Sequence, residues 1–354
     1  MDLTKLRKKI DELDKQILKL LNDRAKLSLA VGRAKSKTNA SIYAPDREKE
    51  IYKKLISDND GPLSAESLKA IYVEIMSGSL SLEKSLAIAY LGPPCTFTHL
   101  ATLKKFGKSL KYLECKSIAD VFTEVERGGA DYGVVPVENS TEGAVNHTLD
   151  MFIDSDLKIC SEAYLPIEHN LLSKHGKMSS VKKVYSHQQV FAQCRIWLEK
   201  NLPNAKLISS ASTTRAAMFA AYGRSRAAIA GKLAAEEYGL NVLARAIQDS
   251  PHNVTRFLII GKHEVKPTKH DKTSIMFTMK DKTGALHDIL APFKKSSINL
   301  TKIESRPSKK KAWKYYFFVD LDGHYDDKKV KKALSLLKDK CLLLKMLGSY
   351  PKAS

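Results

Sequence analysis

Leu3, Leu6, Ile10, Leu13, Ile17, Leu20, Leu27, Val31 and Ala34 recur on alternating steps of three and four. That spacing is the seam of a long amphipathic helix. About 33 residues at ~1.5 Å each make a rod of roughly 50 Å. Two shorter helices, predicted over about 45–58 and 64–84, are too short to cover it. The uncovered apolar length therefore predicts an intertwined pair of chains, a homodimer or a homotetramer built from such dimers.

Beyond residue 85 the period changes. Short apolar runs, Leu86–Leu91, Tyr132–Val137, Val181–Tyr185, Ala227–Ala230 and Phe257–Ile260, alternate with helical stretches as far as residue 261. This is the α/β pattern, in which ligands gather in loops beyond strand ends. The polar, proline-containing His263–His270 has no periodicity and reads as a linker. The remaining order is strand Thr273–Met279, helix Gly284–Lys295, strands Ile298–Ser305 and Trp313–Leu321, helix Lys328–Lys338 and strand Cys341–Leu347. That is the split βαβ, ferredoxin-like unit. The expected organisation is multidomain: all-α over 1–85, α/β over 86–262 and α+β over 271–350.

Composition adds little to this picture and excludes several classes. The 354 residues are 28% charged and 43% hydrophobic, ordinary for a globular protein. No apolar run reaches the roughly 18 residues of a membrane span, and the start MDLTKLRKKIDELDKQ holds no signal-peptide core. Five cysteines are scattered without CxxC spacing. Neither disulfides nor a metal site is expected, and a reducing cytoplasm fits. The net charge of +20 is unusual, but the lysines are spread along the chain. The densest run, Ser308-Lys309-Lys310-Lys311, falls in a predicted hairpin loop. A solvated lysine-rich surface is the favoured reading, with no nucleic-acid or membrane partner. Such a field still concentrates anionic small substrates.

The helical seam has one interruption. Its repeat calls for an apolar residue at position 24 and the chain supplies Arg24. A guanidinium on a buried seam must be paired, because desolvating it alone is too costly. Lys35 lies eleven residues on, about three turns, and shares the face. Arg7 projects well off it. Ser79 and Glu83 are four apart on one face of the third helix. A buried salt bridge of Arg24 with Glu48 or Glu83 is the plain alternative. Two stacked cations favour a dianionic ligand.

Residues 3–84 resemble the all-helical chorismate mutase family through LRKKIDELDKQILKLLNDR, VGRAKS, PDREKEI and SGSLSLE. The resemblance implies that Arg24, Arg47 and a partner chain's Arg7 hold the two carboxylates of chorismate. It gives Lys35 and Glu83 the ether oxygen, Glu48 the hydroxyl and Ser79 a carboxylate. A Claisen rearrangement needs no proton transfer, only a held conformer and fixed donors at the developing oxyanion. Glu83 donates only if protonated, so burial must raise its pKa. Ala44 stands where some members carry aspartate.

Residues 86–261 resemble prephenate dehydratase through YLGPPCTFTHLA, GVVPVENSTEGAV, VYSHQQVFAQCRIWL, ASTTRAA and NVTRFLIIG. Two α/β lobes like those of a periplasmic binding protein are implied, with the site in their cleft. Thr255 would assist departure of the ring hydroxyl as carboxylate is lost. Asn139, Ser186, Gln193, Arg256 and Phe257 would bind prephenate with it. Aromatisation supplies most of the driving force, so one placed donor can suffice. The Ser212 hydroxyl is expected to serve as a helix cap. Cys95 replaces a family glycine, where its Cβ opposes a positive φ, and Gln188 replaces a usual proline. No histidine base is identifiable beside Cys95 to make it a nucleophile.

The last segment resembles the ACT regulatory domain through GAL(H) at 284–287 and ESRP at 304–307. A helix N-terminus for a carboxylate and a glutamate for an ammonium suit an amino-acid pocket. By resemblance, Gly284, Ala285, Leu286, Asn299, Glu304, Ser305 and Arg306 would bind phenylalanine, with His287 where valine is frequent. The three resemblances together imply a chorismate-to-phenylpyruvate enzyme inhibited by phenylalanine and needing no cofactor. A ligand-binding regulator with the chemistry lost is the competing class.

Overall fold

The computed structural model of the chain describes residues 2–38, 41–308 and 314–353. Lys309, Lys310, Lys311 and Trp313 lie outside them. The chain forms two compact units, residues 1–87 with 103–111, and residues 88–102 with 112–354.

The first unit is built on α1 (Leu3–Thr38), α2 (Pro45–Ser57) and α3 (Ala65–Glu83). Pro45 opens α2, where its fixed φ suits the first turn and no N–H is wasted. Ser64 caps α3 by accepting from the Ser67 backbone N–H at 3.1 Å. The predicted seam of α1 stays largely uncovered in the single chain: Leu13 is 56% exposed, Leu20 67% and Leu27 69%. Gly32, near the end of α1, leaves room for α3. A Cβ there would stand 3.0 Å from Glu83 Cγ. No described helix is long and apolar enough to cross a membrane.

The second unit opens with β1 (Ala87–Leu91), α4 (Phe97–Phe106), β2 (Lys111–Cys115), α5 (Ile118–Arg127), β3 (Tyr132–Asn139), β4 (Gly143–Ala144), α6 (Asn146–Asp154) and β5 (Lys158–Pro166). The last turn of α4 and the first residue of β2 group with the helical unit. The chain crosses to a second sheet through β6 (Asn170–Ser173), β7 (Lys183–Ser186), α7 (Gln188–Gln193), α8 (Arg195–Asn201), β8 (Lys206–Ser209), α9 (Thr213–Ala221), β9 (Arg226–Ala230), α10 (Lys232–Tyr238) and β10 (Asn241–Ala244). It then returns to the first sheet as β11 (Val254–Gly261). The first sheet runs β2-β1-β3-β11-β5, with β4 paired to β3. The second runs β10-β6-β9-β7-β8. Two sheets joined by two crossings make the expected two-lobed α/β fold.

The C-terminal part comprises β12 (Asp271–Thr278), α11 (Ala285–Lys295), β13 (Leu300–Pro307), β14 (Tyr315–Asp322), α12 (Lys328–Lys338) and β15 (Leu343–Pro351). Its sheet order, β13-β14-β12-β15, is the ferredoxin-like arrangement. Ile289, Phe293, Val330, Ala333 and Leu337 from the helices bury against Ile275, Phe277, Val319 and Leu321 of the sheet. The linker is fastened, with the His324 ring bonded to the Val265 carbonyl at 2.9 Å and Tyr325 donating to Glu264 at 2.8 Å.

Two strands outrun their apolar cores. β11 begins at Val254 rather than at Phe257, so Thr255 and Arg256 are strand residues. β15 continues past Gly348 to Pro351, pairing with Asp271–Ser274 of β12. Glycine at 348 lets this strand lie against β5, because a Cβ there would collide with the Ile159 backbone.

Candidate functional site

Two groups of polar residues stand out, one in each unit. In the helical unit, α1, α2 and α3 and the last turn of α4 enclose a cavity of about 310 Å³. Arg24 and Lys35 reach it from α1, Arg47 and Glu48 from α2, Ser79 and Glu83 from α3. Apolar walls, including Leu27, Val31, Ile51 and Val73, surround these six. Arg24 Nη1 donates to Ser79 Oγ at 2.6 Å, and Ser79 Oγ donates to the Ile75 carbonyl. Among the described residues Arg24 forms no ion pair, so the plain alternative of a salt bridge to Glu48 or Glu83 is not what the fold adopts. Lys35 Nζ donates to the Ile42 carbonyl at 2.7 Å.

Burial raises the Glu83 pKa, while Lys35 and Arg24 pull it down by a smaller amount. Its Oε2 is buried and finds no hydrogen-bond partner among the described residues. Burial thus shifts this carboxyl, beside two cations, towards its hydrogen-bond-donating form. Arg47 also lines the cavity, but its guanidinium is exposed and paired with Glu50 at 2.9 Å. Arg7 is exposed on α1 and does not line it.

Lys105 was not expected here. Its Nζ stands 3.1 Å from Glu48 Oε2, with side chains only 17% and 11% exposed. A lysine in the last turn of a helix reads in sequence as a partner of the helix dipole. Its distance of 57 residues from Glu48 carries no local signal.

In the second unit, Thr255 of β11 lies opposite Asn139 of β3. Asn139 Nδ2 donates to Thr255 Oγ1 and to Asn253 Oδ1, both at 2.8 Å. Asn253 Nδ2 donates to Gln193 Oε1 at 3.1 Å, and His169 Nε2 lies 2.7 Å from that same oxygen. Gln193, from α7, donates across the cleft to Thr141 Oγ1 at 3.3 Å and Glu142 Oε1 at 3.0 Å. With Gln193 Oε1 an acceptor, His169 Nε2 must carry the proton. Burial lowers the His169 pKa, and the Gln193 hydrogen bond opposes this by less. Asn253 heads the NVTRFLIIG stretch, although nothing in its type marked it for the site. His169, between Glu168 and Asn170 in the crossing after β5, gave no signal at all.

Three expected contacts go elsewhere. Ser186 is fully buried, and its hydroxyl donates to the Ile229 carbonyl at 2.8 Å. Arg256 turns to the face opposite Thr255, as alternation along a strand requires. There it donates to Glu162 at 2.8 Å, Asp320 at 2.5 Å and the Tyr350 hydroxyl at 3.0 Å. Burial opposes its charge, and Tyr350, Asp320 and Glu162 more than offset that and raise its pKa. Phe257 is 1% exposed and packs in the sheet core. None of these three side chains is offered to a ligand in the cleft.

Cys95 takes a positive φ of 65°, the conformation for which glycine is suited, at a cost of about 1–2 kcal/mol. His99 does lie beside it, accepting from the Cys95 backbone N–H at 3.0 Å. Burial lowers the His99 pKa and raises that of the Cys95 thiol to about 11, so this pair is not an activated nucleophile. Ser212 caps α9 through the Arg215 N–H at 3.1 Å.

At the C-terminal sheet, Gly284 caps α11 in the left-handed conformation. Ala285 and Leu286 form the first turn of α11. Asn299 donates to Asp322 at 3.4 Å. Glu304 and Ser305 lie on β13, where Arg306 pairs with Asp150 of α6 at 3.1 Å. Among the described residues no hydrogen bond or ion pair joins the α11 group to the β13 group.

Comparison with known proteins agrees with this division. Family models match residues 6–84 as chorismate mutase type II, 88–265 as prephenate dehydratase and 273–335 as ACT domain. The bifunctional chorismate mutase/prephenate dehydratase of Aquifex aeolicus is 54% identical over 99% of this chain and 98% of its own. That of Pseudomonas aeruginosa is 45% identical over the same shares. The crystal structure of the prephenate dehydratase of Arthrobacter aurescens, in complex with L-Phe, superposes with a TM-score of 0.70. It is 36% identical, over 75% of this chain and 90% of that one.

Proposed function

The chain belongs to the bifunctional chorismate mutase/prephenate dehydratase family, and from that premise we propose that it converts chorismate to prephenate in the helical unit and prephenate to phenylpyruvate in the cleft around Thr255, under feedback inhibition by phenylalanine in the cytoplasm. The observation that carries the first step is the meeting of Arg24, Lys35 and Glu83 in one largely apolar cavity. Such a cavity suits a dianion whose ether oxygen gains negative charge as its bond breaks. Arg24 and Ser79 hold one carboxylate. Arg47 leaves its exposed bond with Glu50, worth little in water, to share the other with Arg7 of the partner subunit. Lys35 and protonated Glu83 donate to the ether oxygen, and Glu48 orients the ring hydroxyl. The uncovered seam of α1 supports a dimer, at whose interface the partner's Arg7 completes the cavity.

In the cleft, Thr255 donates a hydrogen bond to the departing hydroxyl, which leaves as water by taking up a proton from solvent, while the carboxylate leaves as carbon dioxide and the ring becomes aromatic. Asn139 and Gln193 orient prephenate, held in place by Asn253 and by His169. Ser186 and Phe257 shape the walls without touching it. Gly284, Ala285, Leu286, Asn299, Glu304 and Ser305 bind phenylalanine, with Arg306 reached only if it leaves Asp150. Domain limits at 1–85, 86–262 and 271–350 follow from these roles, although Lys105 crosses the first of them. The test is one coupled assay on purified protein. Chorismate yields prephenate and then phenylpyruvate, and millimolar phenylalanine slows the second product. Neither product appearing would sink the proposal.

Glu83 makes the mutase step sensitive to pH. Its protonated form is the donor and burial favours that form. The rate is therefore full at low pH and falls as pH rises through the raised pKa. Glu83→Gln, a donor at every pH, is expected to flatten the profile between about pH 5 and 9. A wild-type rate independent of pH, measured as kcat on chorismate, would remove Glu83 from the role.

A further inference from the structure

Asn139 and Thr255 sit opposite one another on β3 and β11, and the residue beside each is gripped by the C-terminal sheet. Beside Asn139, Glu138 pairs with Lys302 of β13 at 2.9 Å. Beside Thr255, Arg256 is bound by Asp320 of β14 at 2.5 Å and by the Tyr350 hydroxyl of β15 at 3.0 Å. The two grips meet, because Arg256 Nη1 lies 3.9 Å from Glu138 Oε2. The second is dry, with Arg256 and Asp320 6% and 10% exposed, while in the first Lys302 is 12% exposed beside a Glu138 that is 38% exposed. Charges in so little water interact strongly and are costly to separate.

The C-terminal side of each contact is itself fixed. Ser274 of β12 donates to Asp320 at 2.5 Å. The pair Arg306–Asp150 ties β13 down a second time, at 3.1 Å. Lys272 closes the cluster by donating to both oxygens of Glu162, the remaining partner of Arg256, at 3.0 and 2.8 Å. Without the C-terminal sheet, Arg256 would lose Asp320 and Glu138 would lose Lys302, the charges beside Thr255 and Asn139.

We infer that Lys302 and Asp320 are positioning residues for dehydration, contributed to the cleft by the sensor rather than by the dehydratase lobes. Resting on the dehydratase reading above, this assigns them the task of keeping Asn139 Nδ2 within 2.8 Å of Thr255 Oγ1. Neither touches the substrate. Both act through the residue next to one that does. Lys302 shares β13 with Glu304 and Ser305, so an effector seated there acts on the cleft through the Lys302–Glu138 pair.

The experiment uses the full chain with Lys302→Met, Lys302→Arg and Asp320→Asn. Dehydration is measured on prephenate, and rearrangement of chorismate by the same preparations controls for folding. Lys302→Met and Asp320→Asn are expected to lower the dehydration kcat about tenfold or more while KM moves by less than about threefold. Lys302→Arg keeps the charge and recovers most of the rate, and the mutase rate is unchanged throughout. Should Asp320→Asn fail to fold, Lys302→Met decides, since its partner Glu138 is 38% exposed and tolerates the loss. Wild-type dehydration in Lys302→Met would overturn the assignment. So would an equal fall in both activities, which marks general unfolding. If the wild-type chain makes no phenylpyruvate from prephenate, the dehydratase reading itself fails and takes this inference with it.

Discussion

Replacing Arg24 with alanine is expected to lower kcat/KM for chorismate by about 10²–10³-fold and to leave dehydration of added prephenate untouched. Arg24 is the cation whose guanidinium is already fixed in the cavity, held by Ser79 at 2.6 Å. It therefore contributes oriented charge without reorganisation. Its removal leaves a carboxylate in an apolar cavity beside Ser79 alone. The fold loses little, because Arg24 holds no carboxylate of the protein. Arg7→Ala gives a comparable loss if the cavity is completed across a dimer. Subunit exchange then distinguishes a shared site from a self-contained one. When Arg7→Ala and Arg24→Ala chains are mixed equally, half the dimers are hybrids, each with one intact site, so about a quarter of wild-type activity returns. No recovery, with mixed dimers present by mass, would confine the site to one chain and deny the partner subunit's Arg7 a place in it. Chorismate consumption surviving Arg24→Ala would end the mutase assignment of this cavity.

Thr255→Ala is expected to abolish the second activity selectively, lowering dehydration kcat by about 10²–10³-fold with the mutase rate unaltered. The hydroxyl at Thr255 already accepts from Asn139, so its own proton is free to point at a substrate. Thr255→Ser keeps that donor and is expected to retain most of the rate. The stability cost of the alanine is about 1 kcal/mol, one partly exposed hydrogen bond. A thermal melt close to wild type combined with lost turnover separates catalysis from folding. Thr255→Ala that still forms phenylpyruvate at the wild-type rate would exclude the hydroxyl from the reaction.

Alternation of side chains explains where sequence reading of the cleft stopped. Thr255 and Arg256 are adjacent in the Thr-Arg-Phe triplet, and both were expected to face prephenate. Once β11 is known to begin at Val254, the two must point to opposite faces, and Arg256 belongs to the contact with the C-terminal sheet. Ser186 shows the same limit. A serine after a strand is as readily a buried donor to the next strand's carbonyl as a ligand contact, and it is the former here. Asn139, Gln193 and Thr255, which Asn253 links, were legible through the resemblance of GVVPVENSTEGAV, VYSHQQVFAQCRIWL and NVTRFLIIG to prephenate dehydratase, not through periodicity. Asn253 and His169, which join them, come from the two crossings between lobes, where no periodicity operates.

By itself the amino-acid sequence determined the succession of a helical, an α/β and an α+β segment, because hydrophobic period is a local property repeated over many residues. It determined equally that Arg24 and Lys35 share one face of α1, since helix geometry places residues eleven apart together. Only the tertiary structure decided that Lys105 joins Glu48 across 57 positions and that Arg256 serves the contact with the C-terminal sheet. It also decided that Lys302 reaches the strand carrying Asn139. Which charge meets which is fixed by chain crossings far apart in sequence, and at such distances spacing holds no record of the contact.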